Sequence, residues 1–136
     1  MTHSDPIADL LTRIRNAGLR GHEKVEAPWF RFGEEIVRLL ADEGWVLDYE
    51  VTGELPIGKK ISLRLKYTSE SGDRVPLIRV LRRVSRPGRR VYLKSKDIPV
   101  TLAGLGTGII STSSGLLSDR EARNRRLGGE YVAVVS

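Results

Sequence analysis

The segment Gly108-Ile109-Ile110-Ser111-Thr112-Ser113-Ser114-Gly115-Leu116-Leu117 carries the residues best suited to chemistry with a ligand. An apolar, strand-like run delivers the hydroxyls of Ser111, Thr112 and Ser113 to a glycine turn, and apolar character then resumes. Each hydroxyl donates and accepts hydrogen bonds without carrying charge, and each is small enough to enter a narrow polar groove. The ligand chemistry that suits them is a sugar and base edge read at close range, as in the shallow minor groove of an RNA helix. The competing reading is local, because serines beside a glycine commonly bond their own turn.

Charge supports the first reading. The chain has 136 residues and a net charge of +6, but the excess is not spread evenly. Residues 74–96 hold nine basic residues and no acidic one, whereas residues 1–73 hold 10 basic against 13 acidic and residues 97–136 hold four of each. A patch this concentrated attracts polyanions and makes affinity salt-dependent through counterion release. Seventeen of the 23 basic residues are arginine, which favours bidentate phosphate contact and base stacking over a simple point charge. The bland alternative is a solvated strand face.

Catalytic chemistry finds little support. The histidines are His3, near the N-terminus, and His22, in an expected loop, and neither has metal-ligand spacing around it. Gly104-x-Gly106-x-Gly108 is a weak echo of a phosphate loop and lacks the Gly-Lys-Ser/Thr ending. No serine sits in a Gly-x-Ser-x-Gly elbow. The expectation is no catalytic residue, no metal and no cofactor. With no cysteine, neither a disulfide framework nor a thiolate metal site is available. No apolar run approaches bilayer length, and Asp5, Asp9 and Arg13 interrupt any signal-peptide centre, so a soluble intracellular protein without membrane contact is expected.

The elements that must position these groups are legible in outline. Asp5 suits an N-cap and Pro6 a first helical residue, and Ile7, Leu10, Leu11 and Ile14 then form one apolar stripe, with Gly18 or Gly21 ending the helix. Val25 to Ala27 reads as a short strand. A second helix is expected from about Gly33 to Glu43, with Ile36, Leu39 and Leu40 inward and Gly44 as its stop. Trp45 to Val51 and Ile61 to Tyr67 read as strands, the latter alternating Ile61, Leu63, Leu65 and Tyr67 with polar residues. Ser71-Gly72-Asp73 is a turn, Val75 to Val84 a further strand, and Arg86-Pro87-Gly88-Arg89 a tight turn before a strand at Val91 to Leu93. Ser118 and Glu121 match a capping box for a helix to about Leu127, closed by Gly128-Gly129 before a strand from Tyr131 to Val135.

Across most of its length the chain resembles the family of the eighth protein of the small ribosomal subunit, in its bacterial form. The resemblance rests on Asp5-Pro6-Ile7-Ala8-Asp9 through Asn16, on Glu43-Gly44, on Arg83 to Tyr92, and on Ile98-Pro99. Gly104-Leu105-Gly106, Ser111-Thr112-Ser113, Ser118 to Arg123 and Gly128-Gly129-Glu130 complete it in family order. It implies an α+β fold of two small subdomains, about residues 1–70 and 71–136, packed as an α/β/β/α layered structure, with the second as the RNA-binding subdomain. It also implies a structural, non-catalytic protein of the cytoplasmic small ribosomal subunit that binds the central domain of the ribosomal RNA and touches neighbouring ribosomal proteins. Translational feedback through its own operon messenger RNA belongs to the same implication. By that resemblance Ser111, Thr112 and Ser113, with Ser114 and Gly115, enter the RNA groove, and Glu130 either accepts a base amino group or holds the loop. Arg86, Pro87, Gly88, Arg90 and Tyr92 supply phosphate contact and stacking, and Thr12, Arg15 and Asn16 touch a second part of the RNA. Ser114 stands where the family usually has lysine, and Trp29-Phe30-Arg31-Phe32 where small and basic residues are more usual; the aromatics read as core or protein contact. The alternative is a structured-RNA-binding or protein-interaction module outside the ribosome.

Overall fold

The computed structural model describes residues 5–55 and 57–136; His3 lies outside the described residues. The fold is α+β, with antiparallel sheets and three α-helices among the described residues. The chain divides into two compact units, residues 6–79 and residues 80–136 with Asp5.

In the first unit, helix α1 spans Pro6–Leu19 and buries Leu10, Leu11, Ile14, Ala17 and Gly18. Gly18 is therefore an interior residue lying against Pro76, and the chain turns instead at Gly21, where φ is +71°. Strand β1 (Lys24–Pro28) and helix α2 (Arg31–Asp42) follow. The inward face of α2 is Ile36, Val37 and Leu40, at helical spacing with the buried Gly33, and Leu39 beside it is only half-buried. Strands β2 (Val46–Thr52) and β3 (Lys60–Leu65) complete a sheet of order β1-β3-β2. Alternation along β3 is broken at Ser62, which is buried because its hydroxyl donates to Glu26 Oε2 at 3.1 Å.

Strands β4 (Tyr67–Glu70) and β5 (Asp73–Pro76) form a separate hairpin. Its two turn residues, Ser71 and Gly72, take positive φ of 50° and 85°, the backbone hand that matches strand twist. That hairpin straddles the boundary expected after residue 70, so the division falls instead between Arg79 and Val80. The long strand expected from Val75 to Val84 is accordingly two. Asp73 to Pro76 pair with β4, whereas Leu81 to Arg83 pair with the last strand.

The second unit holds β6 (Leu81–Arg83), β7 (Tyr92–Leu93), β8 (Thr107–Thr112), β9 (Gly115–Ser118), helix α3 (Asp119–Asn124) and β10 (Gly129–Val135). The sheet order is β6-β10-β8-β9, with β7 pairing the start of β10 beside β6. As the central strand, β10 reads as a continuous apolar run, and Tyr131 to Val135 are all buried. A register shift between Tyr131 and Ala133 inserts one extra residue, so Tyr131 and Val134 reach the same core cluster, with Ile98, Ile110 and Ala122. Arg83 Nη1 donates to the carbonyl of Val132 at 2.9 Å, satisfying the backbone at that bulge. Ser118 caps α3 by accepting from the Glu121 N–H at 3.1 Å. The helix ends at Asn124 rather than near Leu127, because Arg126 takes a positive φ of 57° and Leu127 N–H returns to the Ala122 carbonyl.

Candidate nucleic-acid interface

Strands β8 and β9 form a hairpin whose tip is Ser113-Ser114, with Thr112 paired to Gly115 across its neck. Gly115 absorbs a φ of +98°, and nothing crowds the position its Cβ would occupy. Thr112 Oγ1 donates to the Gly115 carbonyl at 2.8 Å and accepts from the Ser114 N–H at 3.1 Å. One of the three hydroxyls is therefore engaged in its own turn, as the local reading expects. Ser113 and Ser114 are exposed, while Ser111 is half-buried in the strand.

The sheet brings further residues to Ser111. Glu130 on β10 is its cross-strand partner, and on the other side of Glu130 lies Tyr92 on β7. Directly paired residues in an antiparallel sheet project to the same face, so Ser111, Glu130 and Tyr92 form a row across three strands. Tyr92 is 69% exposed, which leaves its ring as an open surface. Arg90 Nη1 donates to Glu130 Oε2 at 2.9 Å, and the Ser85 hydroxyl donates to the same oxygen. Burial acts to raise the Glu130 carboxyl, but the Ser85 hydroxyl, the Arg90 guanidinium and the nearby Arg83 outweigh it and hold the group below its ordinary value. The same contact raises Arg90 further above the usual arginine value. Glu130 is thus an ionised acceptor, already spoken for at one oxygen.

The basic turn rises from the same place. Ser85 N–H bonds the Tyr131 carbonyl and Tyr131 N–H bonds the Val91 carbonyl, so both ends of the turn are pinned to β10 beside Glu130. At its tip Arg86 and Arg89 exchange backbone hydrogen bonds of 3.1 and 2.9 Å around Pro87 and Gly88. Arg86, Arg89 and Arg90 are exposed, and among the described residues Arg86 and Arg89 have no ion-pair partner. Thr12, Arg15 and Asn16 lie on α1 in the first unit, where Arg15 Nη2 donates to Thr12 Oγ1 at 3.3 Å. The second unit therefore assembles Ser111 to Gly115, Glu130, Arg86 to Arg90 and Tyr92, and the helix residues form a patch of their own.

Two contributors were not legible as such. Ser85 is fully buried under Glu130 and accepts from the Val91 N–H at 3.1 Å. Gly129 lies so close to β8 that a Cβ there would stand 2.0 Å from the Ser111 carbonyl oxygen. The adjacent Gly-Gly pair is the only sequence signal for the second; Ser85 gives none beyond its place in the basic block. Elsewhere, Gly106 and Gly108 pack against Val135 and Tyr131 rather than cradling a ligand. The Trp29 cluster is local packing: Trp29 Nε1 donates to Glu34 at 2.7 Å, Lys59 lies 3.8 Å over its ring, and Phe30 rests on Gly33. Among the described residues no group of His, Cys, Asp and Glu is placed to hold a metal, and no helix is long and apolar enough to cross a membrane.

Fold and surface together define a class: a small α+β protein presenting a hydroxyl hairpin beside an arginine turn. Comparison with known proteins then specifies it. The sequence profile of the family described as ribosomal protein S8 matches residues 5–136. The chain is 53% identical over 135 residues to the small ribosomal subunit protein uS8 of Rubrobacter xylanophilus, covering 99% of each chain. It is 45% identical to that of Dictyoglomus turgidum and 48% to that of Corynebacterium jeikeium, again over 135 residues and 99% of each. The chain belongs to the ribosomal protein S8 family, whose members are structural proteins of the small subunit and not enzymes.

Proposed function

We propose that this protein binds the central domain of small-subunit ribosomal RNA in the cytoplasm, folds and clamps an irregular helix there, and meets neighbouring ribosomal proteins on its other faces. The observation that carries this reading is the row Ser111-Glu130-Tyr92 beside Arg90, because it sets an uncharged groove reader, a stacking ring and a phosphate-binding arginine together on one sheet face. The exposed Ser113 and half-buried Ser111 supply free hydroxyl chemistry, and Thr112 stiffens the hairpin that presents them. The arginine turn supplies the salt-dependent attraction. Thr12, Arg15 and Asn16 provide a second, separate contact. A messenger RNA presenting the same irregular fold would occupy the same surface, which gives the feedback reading its physical basis.

The test is titration of the protein with the central-domain RNA helix and with a regular duplex of equal length, across salt, beside a Ser111→Ala/Ser113→Ala variant. The expected outcome is tight binding of the irregular helix alone, weakened by about 1–3 kcal/mol in the variant (one hydrogen bond lost at each site) with the salt slope unchanged. Equal binding of both RNAs, indifferent to the serines, would leave only a basic surface. Addition of the operon messenger RNA as a competitor tests the feedback reading.

A further inference from the structure

Ser85 has no surface of its own, yet two hydrogen bonds converge on its hydroxyl. It donates to Glu130 Oε2 and accepts from the Val91 N–H at 3.1 Å, in a position with no solvent exposure. Its partner carboxylate is used unequally. Both donors available to Glu130, Ser85 and Arg90, bond Oε2, and among the described residues nothing donates to Oε1. A carboxylate offers about four acceptor sites, so with both protein donors on Oε2 the acceptor capacity of Oε1 is not used by any of the described residues. Glu130 itself lies between Ser111 and Tyr92.

We propose that Ser85 is a positioning residue for RNA recognition: by holding Oε2 it presents Oε1 of Glu130 as a fixed acceptor for an exocyclic amino group of an RNA base. The inference rests on the RNA-binding reading above. Without those two bonds the Glu130 carboxylate would be free to turn away from a polyanion. Two donors on one oxygen remove that freedom and keep the other oxygen as an acceptor. In a minor groove the base amino donor is that of guanine, and at unpaired positions adenine and cytosine also supply one. Phosphate oxygens, which only accept, are repelled, whereas a ribose 2′-OH can also donate to this oxygen. The charged and titratable groups facing Glu130 are Arg90 from the turn, Arg83 from β6 and Tyr92 from β7; Ser111 from β8 carries no charge.

The experiment is a double-mutant cycle of Ser85→Ala and Glu130→Ala on affinity for the central-domain RNA helix, with thermal unfolding of each protein and an NMR titration of the Glu130 carboxyl in wild-type protein, free and RNA-bound. Ser85→Ala is expected to weaken binding about ten-fold, the loss of one charge-assisted hydrogen bond, and to cost nothing further once Glu130 is alanine. In the free protein the same substitution should move the carboxyl titration upward. RNA binding should move the wild-type titration further down, as an added donor favours the charged form. Additive losses in the cycle, or a wild-type carboxyl that titrates identically with and without RNA, would overturn the proposal, and the second reading holds even if a variant fails to fold. Absence of RNA binding by the wild-type protein would sink the broader reading and the presenting role with it, while the free-protein titration would still report on the Ser85 contact.

Discussion

At the scale of single residues, the hydroxyls could be found in the sequence because their chemistry is local. Ser111 to Ser114 lie together in the chain, and a short strand and a turn suffice to present them. Ser85 could not be found that way. Its role exists only through Glu130, 45 residues later, and a buried hydroxyl looks in sequence like any spacer. Ser114 invites a direct test. Its side chain is exposed and its N–H is held by Thr112, so a longer side chain can be carried without disturbing the turn. Ser114→Lys should therefore strengthen RNA binding and steepen the log–log salt dependence by about one ion, with unfolding unchanged. An unchanged slope, measured by titration from low to high salt, would place the tip of the hairpin away from phosphate.

At the scale of elements, two glycines in the same hairpin system fail for different reasons when substituted. Gly115→Ala meets no neighbour and suffers only its φ of +98°, a backbone cost of about 1–2 kcal/mol. Gly129→Ala drives a methyl to 2.0 Å from the Ser111 carbonyl oxygen and must part β10 from β8, which calls for a loss at or above the roughly 1–3 kcal/mol of ordinary overpacking. Urea unfolding should rank the two in that order, and only Gly129→Ala should also disturb the Ser111–Glu130 row, seen as amide shifts along β8. The spacing along α1 was readable because it buries one face with its own period, β3 because its apolar residues alternate apart from the buried Ser62, and β10 because it is a continuous apolar run. The ends of elements were less so. Leu127 was expected inside α3, but the helix stops at Asn124 since Arg126 adopts positive φ, which an arginine's sequence does not advertise. Likewise the run Val75 to Val84 looks continuous, yet its two halves pair with strands from different units.

At the scale of the whole molecule, several carboxylates stabilise the folded state only while ionised. Glu130 is held below its ordinary value against the effect of burial, and Glu26 and Asp48 are lowered chiefly by hydrogen bonds from Ser62 and Arg64. A carboxyl whose folded pKa is depressed adds stability above its unfolded pKa and loses it as pH falls through the folded one. Stability should therefore be level from about pH 8 to pH 5 and decline below about 4.5, the ordinary glutamate range. Glu130→Gln should flatten part of that decline, as read by urea midpoints across pH. A midpoint that rises on acidification would contradict the assignment.

What the sequence determined by itself was the chemistry on offer: hydroxyls at a turn, nine cations without an acid, apolar periods adequate for an α+β fold, and a family order along the chain. Those signals are local or compositional, so linear spacing carries them. Tertiary structure decided which of these groups meet. Pairing of β10 with both β8 and β7 sets Glu130 between Ser111 and Tyr92, and the turn pinned at Tyr131 puts Ser85 and Arg90 on one carboxylate oxygen. Such contacts depend on register across strands far apart in the chain. A shift of one residue would turn every one of these side chains to the opposite face.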